Sequence, residues 1–322
     1  MKTINQTSDI CFIDLFSGTG GFRLAVETVC EQRKISSKCV FSSDSDLDAQ
    51  KIYTANFGET PTGDITKIAE EDIPQHDILL AGFPCQPFSI CGDLKGFEDT
   101  RGTLFFDIAR IIKQQQPSAF ILENVKQLKG HQSGKTLQLI IKTLTDLGYY
   151  TDYKILNALD FGVPQKRERI FIVGFKDKNK FAWPNQTIAM KPLSEILEKS
   201  VSKFYYASEK IRQNRLQKTA GKTKYNQPTI WHENKAGNIS VYPYSCALRA
   251  GASYNYLLVN GERRLTEREM LRLQGFPDSY QIVGSYQAMR KLTGNAVAIP
   301  CVAAVVNSLI NSILNFEAEP QL

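Results

Sequence analysis

The sequence predicts an α/β protein in which a doubly wound parallel sheet is joined to a smaller, irregular lobe. In the first half of the chain, short apolar runs alternate with helical patterns, which is typical of such a sheet. From residue 187 to residue 264 the chain is polar, rich in tyrosine and poorly periodic. With 322 residues, 42% of them apolar, the chain can bury one large core or two unequal ones.

Four buried strands are predicted in the first half of the chain. Each is a short apolar run, and the four runs lie at 10–16, 39–44, 77–82 and 118–125. Helical patterns follow the first three of these runs, at 21–33, 46–56 and 103–116. Because a helix between two strands provides the crossover that parallel pairing needs, the four strands are expected to be parallel.

Two further strands are predicted at 149–158 and 169–176, joined by a loop with no room for a helix. They are therefore expected to pair antiparallel at one edge of the sheet. Helical periodicity returns at 263–276, and an apolar helix preceded by a Gly-Asn turn is predicted over 292–314. We expect that helix to pack back on the first lobe.

This pattern divides the chain into two domains. The first is expected to comprise residues 1–186 and 283–322, so that it is built from both ends of the chain. The second is expected to be the insert at 187–282.

Positive charge is concentrated in one part of the second lobe. The net charge is +6, from 39 basic and 33 acidic residues. Between Lys203 and Gly261 there are nine basic and two acidic residues, so this segment carries +7 and the remainder −1. A localised positive surface indicates a polyanionic partner, although a solvated lysine-rich face explains it equally well.

The apolar stretches and the cysteines indicate where in the cell the protein is expected to act. No N-terminal signal peptide is visible, and the apolar stretch Asn295–Val306 contains Pro300 and is too short to span a membrane. The seven cysteines are odd in number and lack metal-ligand spacing. We therefore expect reduced thiols, a cytoplasmic protein, no bound metal and no membrane partner.

A glycine-rich turn, "DLFSGTGGF" at 14–22, follows the first strand and opens a helix. Gly18 and Gly20 allow close approach of the backbone to a ligand. The dinucleotide fingerprint requires a third glycine at a spacing that Gly21 does not satisfy. The turn therefore favours a cofactor without a pyrophosphate.

Two aspartates support this pocket. Asp44, at the end of the second strand, can accept hydrogen bonds from both ribose hydroxyls, and Asp64 in "GDIT" can accept one from an exocyclic amine such as that of adenine. Each is also explained as a turn or N-cap aspartate, the role we prefer for Asp46 and Asp48.

Four residues are candidates for catalysis. Cys85, in "LLAGFPCQPFSICGD" (79–93), lies just past a strand between two prolines, where a nucleophile is presented. Glu123 in "ENV" and Arg167 with Arg169 in "QKRER" are expected near the carboxyl ends of the strands, where open α/β sheets bind ligands. A free thiol, a surface acid and a basic turn are the alternatives.

The order of these motifs resembles that of the DNA (cytosine-5) methyltransferases, in particular the bacterial restriction–modification type. The matching stretches are "DLFSGTGGF", "GDIT", "GFPCQPFS", "RGTLFFDIARI", "ENV", "QKRERIFIV", "RLTEREMLRLQGFPDSY" and "GNAV". They extend from residue 14 to residue 297. Residues 187–262 fall outside them and correspond to the variable target-recognition region of that family.

The resemblance implies a Rossmann-like fold that binds S-adenosylmethionine and releases S-adenosylhomocysteine. It implies that Cys85 adds to C6 of cytosine, that Glu123 protonates N3, and that Arg169, with Arg167, holds O2 of the base. Water is a candidate for the base that removes the C5 proton. The implied cofactor contacts are Phe16, Gly18, Gly20, Phe22, Asp44, Asp64, Ile65, Leu104 and Asn295.

The resemblance also implies duplex DNA as the substrate, with the target base rotated out of the helix. Residues Ser89 to Gly102 resemble the mobile loop of that family, which closes over the DNA. The expected DNA contacts are Ser89, Cys91, Arg101, Arg212, Arg215, Lys218 and Arg249. The protein is expected to be a monomer and to associate with the nucleoid. It is expected to act in a restriction–modification system, beside a separate restriction endonuclease.

Three other functions remain open at this stage. A transfer RNA cytosine-5 methyltransferase has a similar fold and motifs, and the insert of roughly 75 residues favours DNA without excluding RNA. A non-enzymatic DNA-binding subunit is disfavoured by the intact Cys85, Glu123 and Arg169. A Rossmann-type oxidoreductase is disfavoured by the missing glycine spacing.

Overall fold

A six-stranded sheet forms the centre of the protein in the computed structural model, which describes residues 9–84, 104–178, 180–185, 187–220 and 226–314. In chain order the strands are β1 (Ile10–Leu15), β2 (Ser37–Ser43), β3 (Ile78–Gly82), β4 (Ala119–Val125), β5 (Tyr150–Asn157), β6 (Gln165–Lys166), β7 (Glu168–Phe175), β8 (Ile230–Glu233), β9 (Ile239–Tyr242), β10 (Ser245–Cys246) and β11 (Leu257–Val259). The α-helices are α1 (Gly21–Gln32), α2 (Leu47–Phe57), α3 (Leu104–Gln115), α4 (Lys135–Asp146), α5 (Leu193–Ile196), α6 (Glu209–Thr219), α7 (Glu267–Leu273), α8 (Tyr286–Asn295) and α9 (Ile299–Ile313).

The sheet is doubly wound, as the sequence predicts. Its strand order is β2-β1-β3-β4-β7-β5, and β1 pairs in parallel with both β2 and β3. After β1 the chain moves outward to β2, and after β3 it moves in the opposite direction to β4. The direction of winding therefore changes between β1 and β3, where ligand clefts form in this class of fold.

The predicted antiparallel pair is confirmed at the edge opposite β2. β7 lies between β4 and β5 and is antiparallel to both. Its register places Arg169 opposite Val125 and Phe171 opposite Glu123. This pairing brings the "QKRER" segment beside the end of β4.

Side chains of the central strands alternate between two hydrophobic cores. Phe12 and Leu80 face a core that α1 and α9 cover, whereas Ile13 and Leu79 face a core covered by α3 and α4. Burial on both faces explains why these strands appear in the sequence as continuous apolar runs.

The second lobe has its own hydrophobic cluster and a small sheet. β8 pairs antiparallel with β9 and β11, and a cluster including Ile230, Leu257 and Leu265 lies beneath them. Strands of three or four residues are too short to give a clear alternation, so the sequence predicts only an irregular lobe here. A two-strand contact between β6 and β10 connects the lobe to the first part of the chain.

The apolar helix predicted over 292–314 is divided in two. Leu292 to Asn295 form the last turn of α8, and α9 begins at Ile299 with a proline in its first turn. Tyr286–Ile313 is long and apolar enough for a membrane span, but 61% of its most apolar window is buried inside the protein. Because α9 packs against α1 in the first core, internal packing accounts for its composition.

Candidate functional site

A cavity of about 490 Å³ lies at the carboxyl ends of the sheet strands, at the change of winding direction. Its wall is formed largely by the segments that end four strands, at 16–19, 43–46, 82–84 and 123–125. Every predicted cofactor contact except Gly20 lines it: Phe16, Gly18, Phe22, Asp44, Asp64, Ile65, Leu104 and Asn295.

The glycine-rich turn has an unusual backbone. Phe16, Gly18 and Gly20 have φ angles of 56°, 53° and 70°, in the left-handed region that glycine tolerates and other residues rarely adopt. Gly20 is the N-cap of α1, and a Cβ on it would lie 2.2 Å from the ring of Phe57. Gly20 therefore shapes the turn from beneath and does not line the cavity.

Asp44 joins this turn to the second strand. Its two carboxylate oxygens accept hydrogen bonds from the backbone N–H groups of Gly18 and Asp46, each at 2.8 Å. Burial raises the pKa of Asp44, and these two hydrogen bonds oppose that effect. The carboxylate is thus fixed at the cavity wall, and each oxygen keeps a further lone pair for a ligand.

Asp64 and Asp46 both cap short helical segments. Asp64 accepts hydrogen bonds from the backbone N–H and hydroxyl of Thr66, and these lower its pKa. Asp46 caps α2 and forms an ion pair with Lys291. The capping role preferred for Asp46 is confirmed, and Asp64 combines a capping role with a place in the cavity wall.

Three buried hydroxyl groups in the cavity wall, those of Ser17, Thr19 and Ser43, have no hydrogen-bond partner among the described residues. An unpaired buried hydroxyl costs free energy unless a ligand or water completes its hydrogen bonds. Together with the apolar wall of Phe22, Ile65 and Leu104, they suit a ligand that has both an apolar and a hydrogen-bonding part.

Glu123 is the acid at the other end of the cavity. Only 7% of the residue is exposed, and burial raises the pKa of its carboxyl group against the opposing charges of Arg169 and Arg167. Nε of Arg169 lies 3.0 Å from Oε1 of Glu123, although the contact does not meet hydrogen-bond geometry. The ion pair holds the carboxyl group of Glu123 in the cavity wall, which Arg169 also lines.

Two neighbouring residues tie Glu123 to the segment that leads to Cys85. Gly82 pairs with Glu123 across β3 and β4, and a Cβ on Gly82 would lie 3.8 Å from Oε2 of Glu123. The amide of buried Asn124 donates a hydrogen bond of 2.9 Å to the carbonyl of Phe83. The peptide before Pro84 is thereby fixed relative to the acid. Asn124 was not predicted from the sequence, although its place in "ENV" was the available signal.

Arg167 lies next to this site but binds backbone carbonyls. Its two terminal nitrogens donate to the carbonyls of Leu248, Gly294 and Ala296, at 2.6–3.2 Å. Of its nitrogens, Nε alone has no hydrogen-bond partner in the described ranges. The Arg167 side chain thus holds three backbone segments together, whereas the sequence predicted that it would bind O2 of the target base with Arg169.

The segment around Leu248 is held to the cavity wall from several directions. The side-chain oxygen of Gln165 accepts the backbone N–H of Leu248 at 3.0 Å, while Arg167 binds its carbonyl. Gly294 packs so closely that a Cβ would lie 2.3 Å from the backbone nitrogen of Ala250. Gln165 and Gly294 were not predicted. For Gln165 a signal was available, because Gln165, Arg167 and Arg169 alternate in "QKRER" and alternate residues of an extended chain share one face.

The predicted DNA contacts in the second lobe differ in exposure. Arg215 is 1% exposed and binds the carbonyls of Trp231 and Asn255 and the carboxylate of Glu233. Its prediction as a DNA contact is therefore wrong: it is the one buried residue of α6. Arg212 forms an ion pair with Glu209 on the surface of the same helix.

The two other predicted DNA contacts in this lobe are exposed. Lys218 donates to the carbonyl of Gly237 at 2.9 Å, and Arg249 is exposed with its guanidinium over the ring of Tyr256.

The remaining predictions fall on a segment beyond the described ranges. The catalytic prediction for Cys85 and the DNA-contact predictions for Ser89, Cys91 and Arg101 all lie there. Pro84 immediately precedes Cys85 and lines the cavity.

The chain matches a family model described as C-5 cytosine-specific DNA methylase over residues 10–311. Type II methyltransferase M.NgoBI of Neisseria gonorrhoeae is 56% identical over 294 residues, which are 91% of this chain and 90% of that protein. Type II methyltransferase M.HaeII of Haemophilus aegyptius is 53% identical over 303 residues, which are 94% of this chain and 93% of that protein.

Solved structures share the fold at lower identity. The S. pombe Dnmt2 methyltransferase is 22% identical with a TM-score of 0.70, and the match covers 95% of this chain and all of that one. A putative DNA modification methyltransferase encoded within an E. coli prophage is 18% identical with a TM-score of 0.72, again over 95% of this chain and all of that one.

Proposed function

The chain belongs to the C-5 cytosine-specific DNA methylase family, and from this premise we propose that it methylates cytosine through a covalent bond between Cys85 and C6. The proposed methyl donor is S-adenosylmethionine, and the proposed substrate is one cytosine of a short duplex sequence. The observation that carries the proposal is the buried carboxyl group of Glu123, with its raised pKa, beside Arg169 in the cavity whose wall leads through Pro84 to Cys85.

The chemistry requires an activated ring because C5 of cytosine is a weak carbon nucleophile. Addition of the Cys85 thiolate to C6 moves the electrons of the C5–C6 double bond toward C5. Glu123, whose acid form is favoured by burial, donates a proton to N3, and Arg169 stabilises negative charge at O2. After C5 is methylated, its proton passes to water, Cys85 departs as the thiolate, and N3 returns its proton to Glu123, which restores the neutral aromatic ring.

The residues of the cavity fit S-adenosylmethionine, which supplies an electrophilic methyl group and leaves as S-adenosylhomocysteine. Asp44 would bind the ribose hydroxyls, and Asp64 with Ile65 would contact the adenine. The unpaired hydroxyls of Ser17 and Thr19 are available to the polar methionine end. Phe16, Phe22, Leu104 and Asn295 would complete the binding site.

The target base must leave the DNA helix to reach this cavity, since C6 is inaccessible within a stacked duplex. Rotating a base out costs a few kcal/mol, which contacts to the DNA backbone can offset. We propose that residues 187–282 form the target-recognition domain and that 1–186 with 283–322 form the catalytic domain. The separate hydrophobic cluster of the second lobe supports this division.

Transfer RNA is the alternative substrate because the catalytic residues would be the same. Two relatives that are more than 50% identical to this chain over the aligned residues are named as Type II methyltransferases, which supports DNA. We further propose a monomer that acts in a restriction–modification system, beside a separate endonuclease.

Bisulfite sequencing of DNA from cells that express the protein tests the proposed function. We expect cytosines at one short sequence to be fully protected in cells that express the wild type and unprotected in cells that express Cys85→Ser. Protection of transfer RNA with no protected site in DNA would favour the alternative substrate. Protection of neither would contradict the proposal.

We expect DNA binding to depend on salt through the exposed basic residues of the second lobe. Replacing Arg212 and Lys218 by glutamine should reduce the slope of log affinity against log salt by about 0.9 for each phosphate that is no longer neutralised. Arg215 is left intact because it is buried. The measurement is a salt titration of duplex binding, and Lys142→Gln, on the exposed face of α4, is the control. A slope equal to that of the control would mean that these two side chains bind no phosphate.

We expect Gly294→Ala to separate the Leu248–Ala250 segment from the cavity wall. The new Cβ would overlap the backbone of Ala250, and such overpacking typically costs about 1–3 kcal/mol. Urea unfolding should show this loss, and KM for DNA should rise. Gly130→Ala is the control, because its Cβ would meet no atom within 4 Å. Equal stability and KM in both variants would contradict the close packing.

A further inference from the structure

A groove of about 570 Å³ lies in the second lobe, separate from the catalytic cavity. Glu233 and Lys235, at the turn between β8 and β9, line one part of it, and Arg249 and Ser253 line another. The loop that carries Arg249 is the one packed against Gly294 of the cavity wall. DNA whose target base enters the cavity would therefore have its neighbouring base pairs close to this groove.

Glu233 is an unexpected residue for a surface that binds a polyanion. It is one of two acids among nine basic residues between Lys203 and Gly261. The other acid, Glu209, is occupied on the surface of α6 by Arg212. Because phosphates repel a carboxylate, the group that suits Glu233 in this groove is a hydrogen-bond donor rather than a phosphate.

A buried arginine holds Glu233 in place. Arg215 donates to Oε2 of Glu233 at 3.0 Å and also binds the carbonyls of Trp231 and Asn255. Its guanidinium is therefore fixed by the backbone of the lobe. A single contact of this kind orients the carboxylate and leaves Oε1 with lone pairs for a ligand.

Tyr256 sets the spacing between Glu233 and Arg249. Its carbonyl accepts the backbone N–H of Glu233 at 2.9 Å, and its hydroxyl accepts that of Arg249 at 2.9 Å. The Arg249 guanidinium lies 4.9 Å from the centre of the Tyr256 ring. Across the described residues no ion pair joins Arg249 to Glu233, so the two opposite charges are held in one groove without neutralising each other.

We propose that Glu233 and Arg249 read a cytosine and a guanine beside the target base, from the major groove. An arginine binds O6 and N7 of guanine with two hydrogen bonds, and a glutamate accepts one from the N4 amino group of cytosine. This inference rests on the proposed function, because it requires duplex DNA in the adjoining cavity. It assigns to Glu233 a role in choosing the site that does not involve the chemistry of methyl transfer.

The experiment maps methylation by purified enzyme on duplexes randomised around the site found for the wild type. Glu233→Gln should admit adenine at one position that otherwise requires cytosine, because glutamine pairs with N6 and N7 of adenine. Arg249→Ala should relax a guanine position. Discrimination at each position should fall about ten- to a hundredfold. Glu209→Gln, which removes the other acid of the segment, should leave the map unchanged.

A map for Glu233→Gln identical to that of Glu209→Gln would overturn the inference. A wild type that methylates no DNA would instead contradict the proposed function, so the two failures are distinguishable. If Glu233→Gln does not fold, the role of Glu233 can be tested with the wild-type enzyme and chemically modified duplexes. Replacing each non-target cytosine of the site by 2-pyrimidinone, which lacks the N4 amino group, should weaken methylation at one position. Equal methylation at every position would refute the role of Glu233.

Discussion

We expect Cys85→Ser to abolish methyl transfer and Cys91→Ser to leave substantial activity. The nucleophile must reach C6 of a base whose N3 lies at Glu123. The described structure fixes the approach to Cys85, since Asn124 holds the carbonyl of Phe83 and Gly82 lies beside Glu123. Cys91 is six residues further along the chain. A hydroxyl at position 85 has a much higher pKa than a thiol, so serine supplies almost no anion for the addition.

A mechanism-based trap distinguishes the two cysteines directly. DNA that contains 5-fluorocytosine at the target should remain covalently attached to the wild type, because fluorine cannot leave C5 as a proton does. Cys91→Ser should be trapped equally well, and Cys85→Ser should not be trapped. Digestion and mass spectrometry locate the adduct. An adduct on the Cys91 peptide, or no adduct with active wild type, would contradict the assignment.

The central sheet could be predicted closely because burial on both faces produces apolar runs that stand out in the sequence. The run at 118–125 corresponds to β4 at Ala119–Val125, and the run at 77–82 corresponds to β3 at Ile78–Gly82. The antiparallel edge was predictable from the absence of a helix between β5 and β7. Such inferences need only neighbouring residues and standard connection rules.

The cavity wall was predictable for a related reason. Open α/β sheets bind ligands at the carboxyl ends of their strands, so residues just past β1, β2 and β3 were natural candidates. Gly20 is the exception, because its left-handed backbone serves the turn beneath the cavity. A glycine in such a turn can be recognised in the sequence. The sequence does not show whether a ligand or, as here, the ring of Phe57 occupies the space beside the glycine.

Arginines were predicted less well because their role depends on distant partners. Arg215 was predicted to contact DNA and Arg167 to hold the target base, yet each is buried and bound to backbone carbonyls from other parts of the chain. Their acceptors lie 16 to 129 residues away. No local pattern reports such contacts. For Arg249 and Lys218, which are exposed, contact with DNA stays a prediction.

We expect Glu123→Gln to slow the chemical step by about 10²–10⁴-fold while leaving cofactor affinity nearly unchanged. Glutamine keeps the size of the side chain but cannot donate a proton to N3. Burial, opposed by Arg169, raises the pKa of Glu123, so the acid form persists to higher pH than for an exposed glutamate. In the wild type, the rate of the chemical step should therefore fall as pH rises through the raised pKa of Glu123, because the acid form is lost.

Single-turnover rates measured against pH, with cofactor affinity measured in parallel, test this role. The Glu123→Gln rate should be lower and should no longer show this fall with pH, because the titrating carboxyl group is absent. Glu168→Gln is the control: it removes a carboxylate from the adjacent strand, where Glu168 pairs with Lys126, and should change the rate little. A Glu123→Gln rate equal to that of the control would show that N3 is protonated by another group. A loss confined to cofactor affinity would place Glu123 in the cofactor site.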